Sequence, residues 1–172
     1  MASNVVYYFA YGPNMNPEKM NICQITYTDR RLGHLNGFEF VMNQKRINGT
    51  AGANVRRKEN SSVYGVLYTC DIDSLLKLDK YEGNIYTRQL VQIITANEKH
   101  SVDAHAYIGL EKSSSNNLHN NVSKEYLEHI LCGGDLLPPS YLEFLKSFQE
   151  YAVTICPGED YFLTEAANET EE

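Results

Sequence analysis

The stretch from Val5 to Glu18 constrains the fold of this chain more than any other. A run of β-prone residues, Val5 to Ala10, leads into Tyr11-Gly12-Pro13-Asn14, and Asn16-Pro17 follows. Asparagine is a favoured helix N-cap and proline a favoured first helical residue, so the pattern predicts a strand, a tight loop and a helix start. Such a junction directs backbone N–H groups and the positive end of a helix dipole into one space, which suits a carboxylate or another anion. An ordinary sheet edge would have the same pattern.

Length and composition predict one globular domain. The chain has 172 residues, of which 42% are hydrophobic and 22% charged, enough for a single core. Residues 164–172 contain four glutamates and no apolar period, which predicts a disordered acidic tail. The single domain is therefore expected to span residues 1–163.

Charge and hydropathy narrow the range of partners to small molecules. The net charge is -7 and the longest basic cluster is Arg56-Arg57-Lys58, which argues against nucleic acid. No apolar run approaches the roughly 20 residues that span a bilayer, and no secretory leader is apparent. A soluble, cytoplasmic protein without a membrane partner is expected. Its scattered cysteines and histidines have no metal-ligand spacing, so neither a metal nor a cofactor is expected.

A second stretch, from Asp71 to Gly83, predicts a helix that ends in an acid. Asp71 is a plausible N-cap, the apolar residues that follow have helical spacing, and Gly83 suits the position after the last helical residue. Glu82 then closes the helix, where the negative end of the helix dipole raises the pKa of a carboxyl group. An acidic residue is disfavoured at the end of a helix, and residues that break such a local preference are often found at functional sites. An exposed surface acid is the alternative interpretation.

Periodicity predicts the other elements of a mixed α/β (α+β) domain. Asn48-Gly49 should form a turn, Ser123 should cap a helix that stops at Gly133-Gly134, and Lys112 to Asn121 should form a surface loop or lid. A last helix should begin near Pro139 and bury apolar residues as far as Ala152. The predicted further strands are 38–42, 51–55, 63–68, 90–95 and 101–108.

Four segments, in order, resemble the γ-glutamylcyclotransferase family. Tyr8-Phe-Ala-Tyr-Gly-Pro-Asn-Met15 is similar to its Y-F-A-Y-G-S-N loop, and Leu78-Asp-Lys-Tyr-Glu-Gly83 to its L-D-x-x-E-G motif. Gly49 to Leu67 and Tyr126 to Leu145 resemble two further family segments. The resemblance covers roughly residues 7 to 150 and implies a small, curved, barrel-like sheet flanked by helices, in a monomer or a homodimer. Its implied reaction is the cyclisation of a γ-glutamyl amide, which releases 5-oxoproline and an amine.

The resemblance also implies which residues form the site. Glu82 takes the position of the family's catalytic acid/base. Tyr86 and Tyr107 are candidate pocket walls, and Arg88 is a weaker candidate that equally suits a structural ion pair. The implied substrate-binding loop comprises Tyr8, Phe9, Ala10, Tyr11, Gly12, Pro13 and Asn14. Pro13 departs from the family, which usually has Ser or Thr here, and it lacks both a backbone N–H and a hydroxyl.

Three functions remain open on this basis. The first is a γ-glutamylcyclotransferase that acts on a γ-glutamyl amino acid or amine, an amide-cleaving lyase or acyltransferase of the kind used in glutathione metabolism. The second is an enzyme of the same fold with another amide substrate. The third is a non-catalytic small-molecule-binding or interaction protein, which the substitution at Pro13 keeps open.

Overall fold

A closed five-stranded barrel organises the fold. The structure is a computed structural model that describes residues 4–96, 100–115 and 121–155. It contains seven strands: β1 Val5–Ala10, β2 Tyr27–Lys45, β3 Ala51–Asp71, β4 Tyr86–Thr95, β5 Val102–Gly109, β6 Val122–Ser123 and β7 Ala152–Val153. The α-helices are α1 Pro17–Ile22, α2 Ile72–Glu82, α3 Lys124–Cys132 and α4 Pro139–Lys146. The predicted mixed α+β class and curved, barrel-like sheet are confirmed.

The barrel closes because β1 pairs on both of its edges. The strands run in the order β1-β5-β4-β2-β3, and β3 pairs with β1 to complete the ring. Tyr8 lies opposite Tyr68 of the antiparallel strand β3 and opposite His105 of the parallel strand β5. The short strands β6 and β7 extend the sheet from the start of β3 by parallel pairing. The loop after β1 therefore begins at the end of a strand held on both sides.

Strands β2 and β3 form one long hairpin. Gly49 has a φ of +79°, and the Arg46 N–H donates to Thr50 O over 3.0 Å, so the predicted turn at Asn48-Gly49 is confirmed. The prediction of two separate strands at 51–55 and 63–68 is wrong, because β3 is continuous from Ala51 to Asp71. The polar residues between them continue the strand across a register shift, where Asn36 pairs with Ser62 and Phe38 with Arg57. Residues 56–60 are exposed to solvent, so this part of the strand has no apolar alternation.

Small residues allow close backbone approaches within the barrel. A Cβ atom on Gly65 would lie 2.3 Å from Ala10 O and 2.8 Å from the Phe9 ring. Only a residue without a side chain fits there, so Gly65 fixes how closely β3 approaches the end of β1. The loop after β1 is positioned by this contact.

Helix α2 has the predicted boundaries. The Ser74 N–H donates to Asp71 Oδ1 over 2.7 Å, which is the predicted N-cap. The helix ends at Glu82, and Gly83 follows with a φ of +56°. Local capping signals were sufficient here because each end depends on residues within one turn.

The C-terminal region differs from its prediction in one respect. Ser123 caps α3 through a 3.2 Å hydrogen bond from the Tyr126 N–H, as expected. The last α-helix starts at Pro139 but ends at Lys146, earlier than predicted. A 3₁₀ helix, Ser147–Tyr151, continues the apolar spacing, and Ala152 belongs to β7. The predicted acidic tail and the middle of the Lys112 to Asn121 loop, residues 116–120, lie outside the described residues.

No helix within the described residues is long and apolar enough to cross a membrane.

Candidate active site

A pocket of about 110 Å³ opens beside the loop that follows β1. It brings together the predicted site residues except the weaker candidate Arg88 and Ala10, whose side chain is buried where β1 pairs with Val66. The lining residues are Tyr8, Phe9, Tyr11, Gly12, Pro13, Asn14, Lys19, Cys23, Arg46, Ala53, Tyr81, Glu82, Ile85, Tyr86, Tyr107 and Tyr126. Residues far apart in the sequence thus share one small cleft with a single carboxyl group.

The loop does not lead directly into a helix. A 3₁₀ turn, Pro13–Met15, separates Gly12 from the N-cap of α1, Asn16. Within the turn, the Met15 N–H donates to Gly12 O and the Asn16 N–H to Pro13 O, each over 3.0 Å. The prediction of a strand, a loop and a helix start holds, but the turn separates the loop from the helix and uses the Met15 and Asn16 amides. The amides of Gly12 and Asn14 remain as candidate donors.

Tyr68 fixes the far side of this turn. Its hydroxyl lies 2.8 Å from Asn14 O and 2.9 Å from Met15 O. Tyr68 is fully buried on β3, the strand that pairs with β1. The turn is therefore held by the barrel itself, which keeps the Asn14 side chain in place at the pocket.

Glu82 is the one carboxyl group in the pocket lining, and it is partly buried. Burial raises its pKa from 4.5 to about 7, while the Lys19 charge and the Asn14 hydrogen bond oppose the rise. Asn14 Nδ2 donates to Glu82 Oε1 over 3.2 Å. The raised pKa was expected from the helix dipole, but desolvation is its main cause. The alternative of an exposed surface acid is wrong.

Tyrosines surround this carboxyl group. Asn14 Nδ2 also donates to the Tyr8 hydroxyl over 2.9 Å, so one amide bridges Tyr8 and Glu82. Burial raises the pKa of Tyr8 and Tyr11 well above the ordinary phenol value, and the nearby Glu82 charge adds to the rise. Both phenols therefore stay neutral near pH 7. Neither adds negative charge beside Glu82, and the Tyr11 hydroxyl donates to Tyr107 O.

Tyr86 and Tyr126 hold the opposite wall through the backbone of Ala53. The Tyr86 hydroxyl donates to Ala53 O over 2.7 Å, and the Ala53 N–H donates to the Tyr126 hydroxyl over 2.8 Å. A Cβ atom on Gly12 would lie only 3.2 Å from Ala53 Cβ. The sequence pointed to Tyr86 as a pocket wall, and its hydroxyl is committed to this structural bond.

Tyr107 positions the helix that carries Glu82. Its hydroxyl donates to Asp79 Oδ1 over 2.7 Å and lies 3.2 Å from Leu75 O. Its ring packs edge-on against Tyr8 at a centroid distance of 5.8 Å. Arg88 Nε lies 3.3 Å from the same Asp79 oxygen, and Arg88 does not line the pocket. Of the two interpretations of Arg88, the structural ion pair is the one observed.

Sequence reasoning missed two cations, Lys19 and Arg46, and two aromatic residues, Tyr81 and Tyr126, in the pocket lining. Lys19 is a buried residue of α1, and no pattern in the sequence had singled it out. Arg46 stacks over the ring of Tyr126 at 4.4 Å, and Tyr126 was known from the sequence only as part of a segment that resembles the family. These residues meet in one pocket because the barrel closes, so their spacing along the sequence does not predict that they lie together. The one local hint is that Lys19 follows the loop by a single helical turn.

No cluster of three His, Cys, Asp or Glu side chains suited to a metal ion occurs in residues 4–96, 100–115 and 121–155.

Sequence comparison with protein families decides the family of this chain. The model described as gamma-glutamyl cyclotransferase, AIG2-like, matches residues 8–128. The chain belongs to this family. The match begins at Tyr8 and includes the loop, the hairpin and the helix that ends at Glu82, so the resemblance expected from the motifs is confirmed. A search of curated protein sequences gave no match.

Solved structures share the fold of this AIG2-like family member at low sequence identity. A gamma-glutamyl cyclotransferase has 20% identity and a TM-score of 0.72, over 91% of this chain and 90% of the other. An uncharacterized protein from Homo sapiens has 21% identity and a TM-score of 0.71, over 92% of each chain. A yeast gamma-glutamyl cyclotransferase specific to glutathione has 14% identity and a TM-score of 0.67, over 87% of this chain and 98% of the other. These similarities establish the barrel fold.

Proposed function

We propose that this protein is a γ-glutamylcyclotransferase that converts a γ-glutamyl amino acid or amine into 5-oxoproline and a free amine, with Glu82 as general acid/base. The observation that carries the proposal is the state of Glu82. Its carboxyl group lies in a tyrosine-lined pocket, accepts a hydrogen bond from Asn14, and has its pKa raised by burial to about 7. An acid/base catalyst works best when its pKa lies near the working pH.

The reaction needs one proton to move from one nitrogen to another. The substrate's α-amine attacks its own γ-carbonyl carbon, a five-membered lactam forms, and the bond to the leaving nitrogen breaks. In its ionised form Glu82 accepts a proton from the attacking amine, and it then returns that proton to the leaving nitrogen. No covalent bond to the enzyme forms, so the reaction needs no activated serine or cysteine. The other barrier is conformational, because the amine and carbonyl must be held within reach of each other.

The pocket wall has the features that this folding of the substrate requires. The Gly12 and Asn14 amides are candidate donors to the substrate's carboxylate or carbonyl oxygen, as expected for the loop from Tyr8 to Asn14. Neutral Tyr8 and Tyr11 line the same space. Tyr86 and Tyr126 keep the facing strand in place through Ala53. A rigid, narrow pocket favours the bent conformer of a γ-glutamyl compound over its many extended ones.

Product release from a substrate panel tests the proposal. The panel contains γ-glutamyl dipeptides, γ-glutamyl amines and glutathione, and the readout is 5-oxoproline. We expect release from at least one class, and the preferred leaving group identifies the substrate. Absence of 5-oxoproline from every substrate, with folded protein, would contradict the proposal.

Pro13 favours a second candidate, a non-catalytic small-molecule-binding protein of the same fold. It removes a backbone donor at the centre of the loop. The two functions differ in one outcome, because a binding protein would hold 5-oxoproline or a γ-glutamyl compound without converting it.

The cytoplasm, where such compounds would be encountered, remains the proposed location.

A further inference from the structure

Lys19 is a cation enclosed in the pocket wall. Only 5% of its surface is exposed, and it lines the pocket with its Nζ 3.5 Å from Cys23 Sγ. Lysine is rarely buried to this extent, since removing an ammonium group from water is costly unless nearby groups offset the cost. A buried ammonium on a pocket wall is well placed to meet an anionic ligand.

The charges around Lys19 belong to the pocket. Burial lowers the pKa of its ammonium group, whereas Cys23 and the carboxylate of Glu82 raise it and Arg46 lowers it. Lys19 in turn lowers the pKa of Glu82. Lys19 and Glu82 line the same small pocket, where two basic side chains, Lys19 and Arg46, face one carboxyl group. The whole chain has a net charge of -7, so this local surplus is distinctive.

The loop after β1 offers few backbone N–H donors to the carboxylate of a bound ligand. Pro13 has no N–H, and the amides of Met15 and Asn16 donate within the 3₁₀ turn. Gly12 and Asn14 are the loop amides that remain. A carboxylate has two oxygens, each able to accept more than one hydrogen bond. A cation on the adjoining helix is the simplest source of the missing interaction.

The covalent structure of a γ-glutamyl group determines which carboxylate Lys19 can contact. Its α-amine and α-carboxylate are bonded to the same carbon. If Glu82 takes the proton from the α-amine, the α-carboxylate must lie close to Glu82 as well. Lys19 lines the same pocket as Glu82 from the helix that follows the loop, and its charge lowers the pKa of Glu82.

We propose that Lys19 binds the α-carboxylate of the substrate's glutamyl group, and so restricts the site to γ-glutamyl compounds with that carboxylate free. This assignment rests on the function proposed above. It gives the bound α-amine a fixed direction towards Glu82. It also explains how the loop functions with proline at position 13, because a charge–charge contact replaces the donor that a Ser or Thr amide would offer.

Arg46 is the rival cation, and its contacts assign it another role. Its guanidinium group stacks on Tyr126 at 4.4 Å, and its Nη1 donates to Thr50 Oγ1 over 3.1 Å. Both contacts hold the turn between β2 and β3. Arg46→Met is therefore the matched comparison for Lys19→Met, since each substitution removes one pocket cation.

Binding of the anionic product, 5-oxoproline, and of an uncharged analogue of it tests the assignment. 5-Oxoproline carries the carboxylate, and 5-oxoprolinamide replaces it with a neutral carboxamide of nearly the same shape. Calorimetric titration of the wild-type protein should give at least tenfold tighter binding of 5-oxoproline. Lys19→Met should abolish that preference, whereas Arg46→Met should retain it. Lys19→Arg, which keeps the charge, should recover part of it.

The outcomes separate this proposal from the function on which it rests. Wild-type protein that binds both analogues equally overturns the role of Lys19 without any variant, so a poorly folding Lys19→Met protein does not obscure the result. A preference that survives Lys19→Met, or disappears only in Arg46→Met, also overturns it. In turnover, Lys19→Met should raise KM at least tenfold with a smaller change in kcat. Failure of the wild-type protein to release 5-oxoproline contradicts the catalytic function instead.

Discussion

Asn14 Nδ2 lies 3.2 Å from Glu82 Oε1, which joins two residues 68 positions apart in the sequence. One follows the first strand of the barrel and the other ends helix α2. The same nitrogen also donates to Tyr8 over 2.9 Å. Three predicted site residues thus form one hydrogen-bonded unit, and the protonation of Glu82 depends on it.

Replacing Asn14 should move the pH dependence of the reaction. The hydrogen bond from Asn14 stabilises ionised Glu82, so Asn14→Leu removes a contact that lowers its pKa. The acid limb of the kcat/KM profile should shift to higher pH, and kcat/KM should fall about 10-fold or more at pH 7. Asn36→Leu is the control, because Asn36 is exposed and pairs with Ser62 outside the pocket. An unchanged acid limb in Asn14→Leu would contradict this role.

Glu82 should make folding stability fall as pH rises. Its pKa is about 7 in the folded protein against 4.5 for the unperturbed group, so the folded state holds the proton more tightly. The resulting stabilisation is fully present below about pH 4.5 and is lost as pH rises through 7. The shift corresponds to about 3 kcal/mol at most, reduced by the side chain's partial contact with solvent.

Chemical denaturation of wild type and Glu82→Gln at pH 5 and pH 8 measures this effect. The neutral glutamine has no such proton to lose. The variant should therefore gain stability relative to wild type on going from pH 5 to pH 8. A difference in unfolding free energy that is independent of pH would show that the carboxyl group is not desolvated.

Removing the Tyr107 hydroxyl should loosen α2. Tyr107→Phe loses the contacts with Asp79 and Leu75, at a cost of about 1–2 kcal/mol of unfolding free energy. We expect kcat to fall more than KM rises, because Glu82 is displaced while the loop stays intact. Tyr7→Phe is the matched control, since its hydroxyl makes no hydrogen bond to a described residue. Equal effects of the two substitutions would refute the positioning role.

A methyl group at Gly65 should disturb the site from the far side of β1. The Cβ atom of Gly65→Ala would meet Ala10 O at 2.3 Å, and backbone cannot move aside cheaply. We expect a loss of about 1–3 kcal/mol in unfolding free energy and a lower kcat/KM. Ser61→Ala on the same strand serves as the comparison. Full stability of Gly65→Ala would contradict the close packing of β3 against β1.

Local signals in the sequence predicted the elements whose ends are decided locally. Asp71 and Gly83 bound α2, Asn48-Gly49 forms the turn, and Ser123 caps α3, because each depends on hydrogen bonds or backbone angles within one turn. The position of Glu82 at the end of α2 followed directly from these signals.

The missed features depend on tertiary pairing. Residues 56–62 continue β3 across a register shift, with Arg56, Arg57 and Ser62 paired to β2, and no apolar alternation in the sequence predicts that. Likewise, Lys19, Arg46 and Tyr126 share the pocket only because the barrel brings α1, the β2–β3 turn and α3 together. The apolar spacing after Lys146 suits a 3₁₀ helix as well as an α-helix, so it did not reveal where α4 ends.

The most direct test of the account is the rate of 5-oxoproline release by Glu82→Gln, measured beside wild type and Glu128→Gln. Glu128 is an exposed acid on α3 outside the pocket, so its variant controls for the loss of a charge. We predict that Glu82→Gln keeps the wild-type fold and that its kcat falls by about 10²- to 10⁴-fold, the usual contribution of a general acid/base, while Glu128→Gln stays near the wild-type rate. A folded Glu82→Gln protein that releases 5-oxoproline at close to the wild-type rate would contradict it.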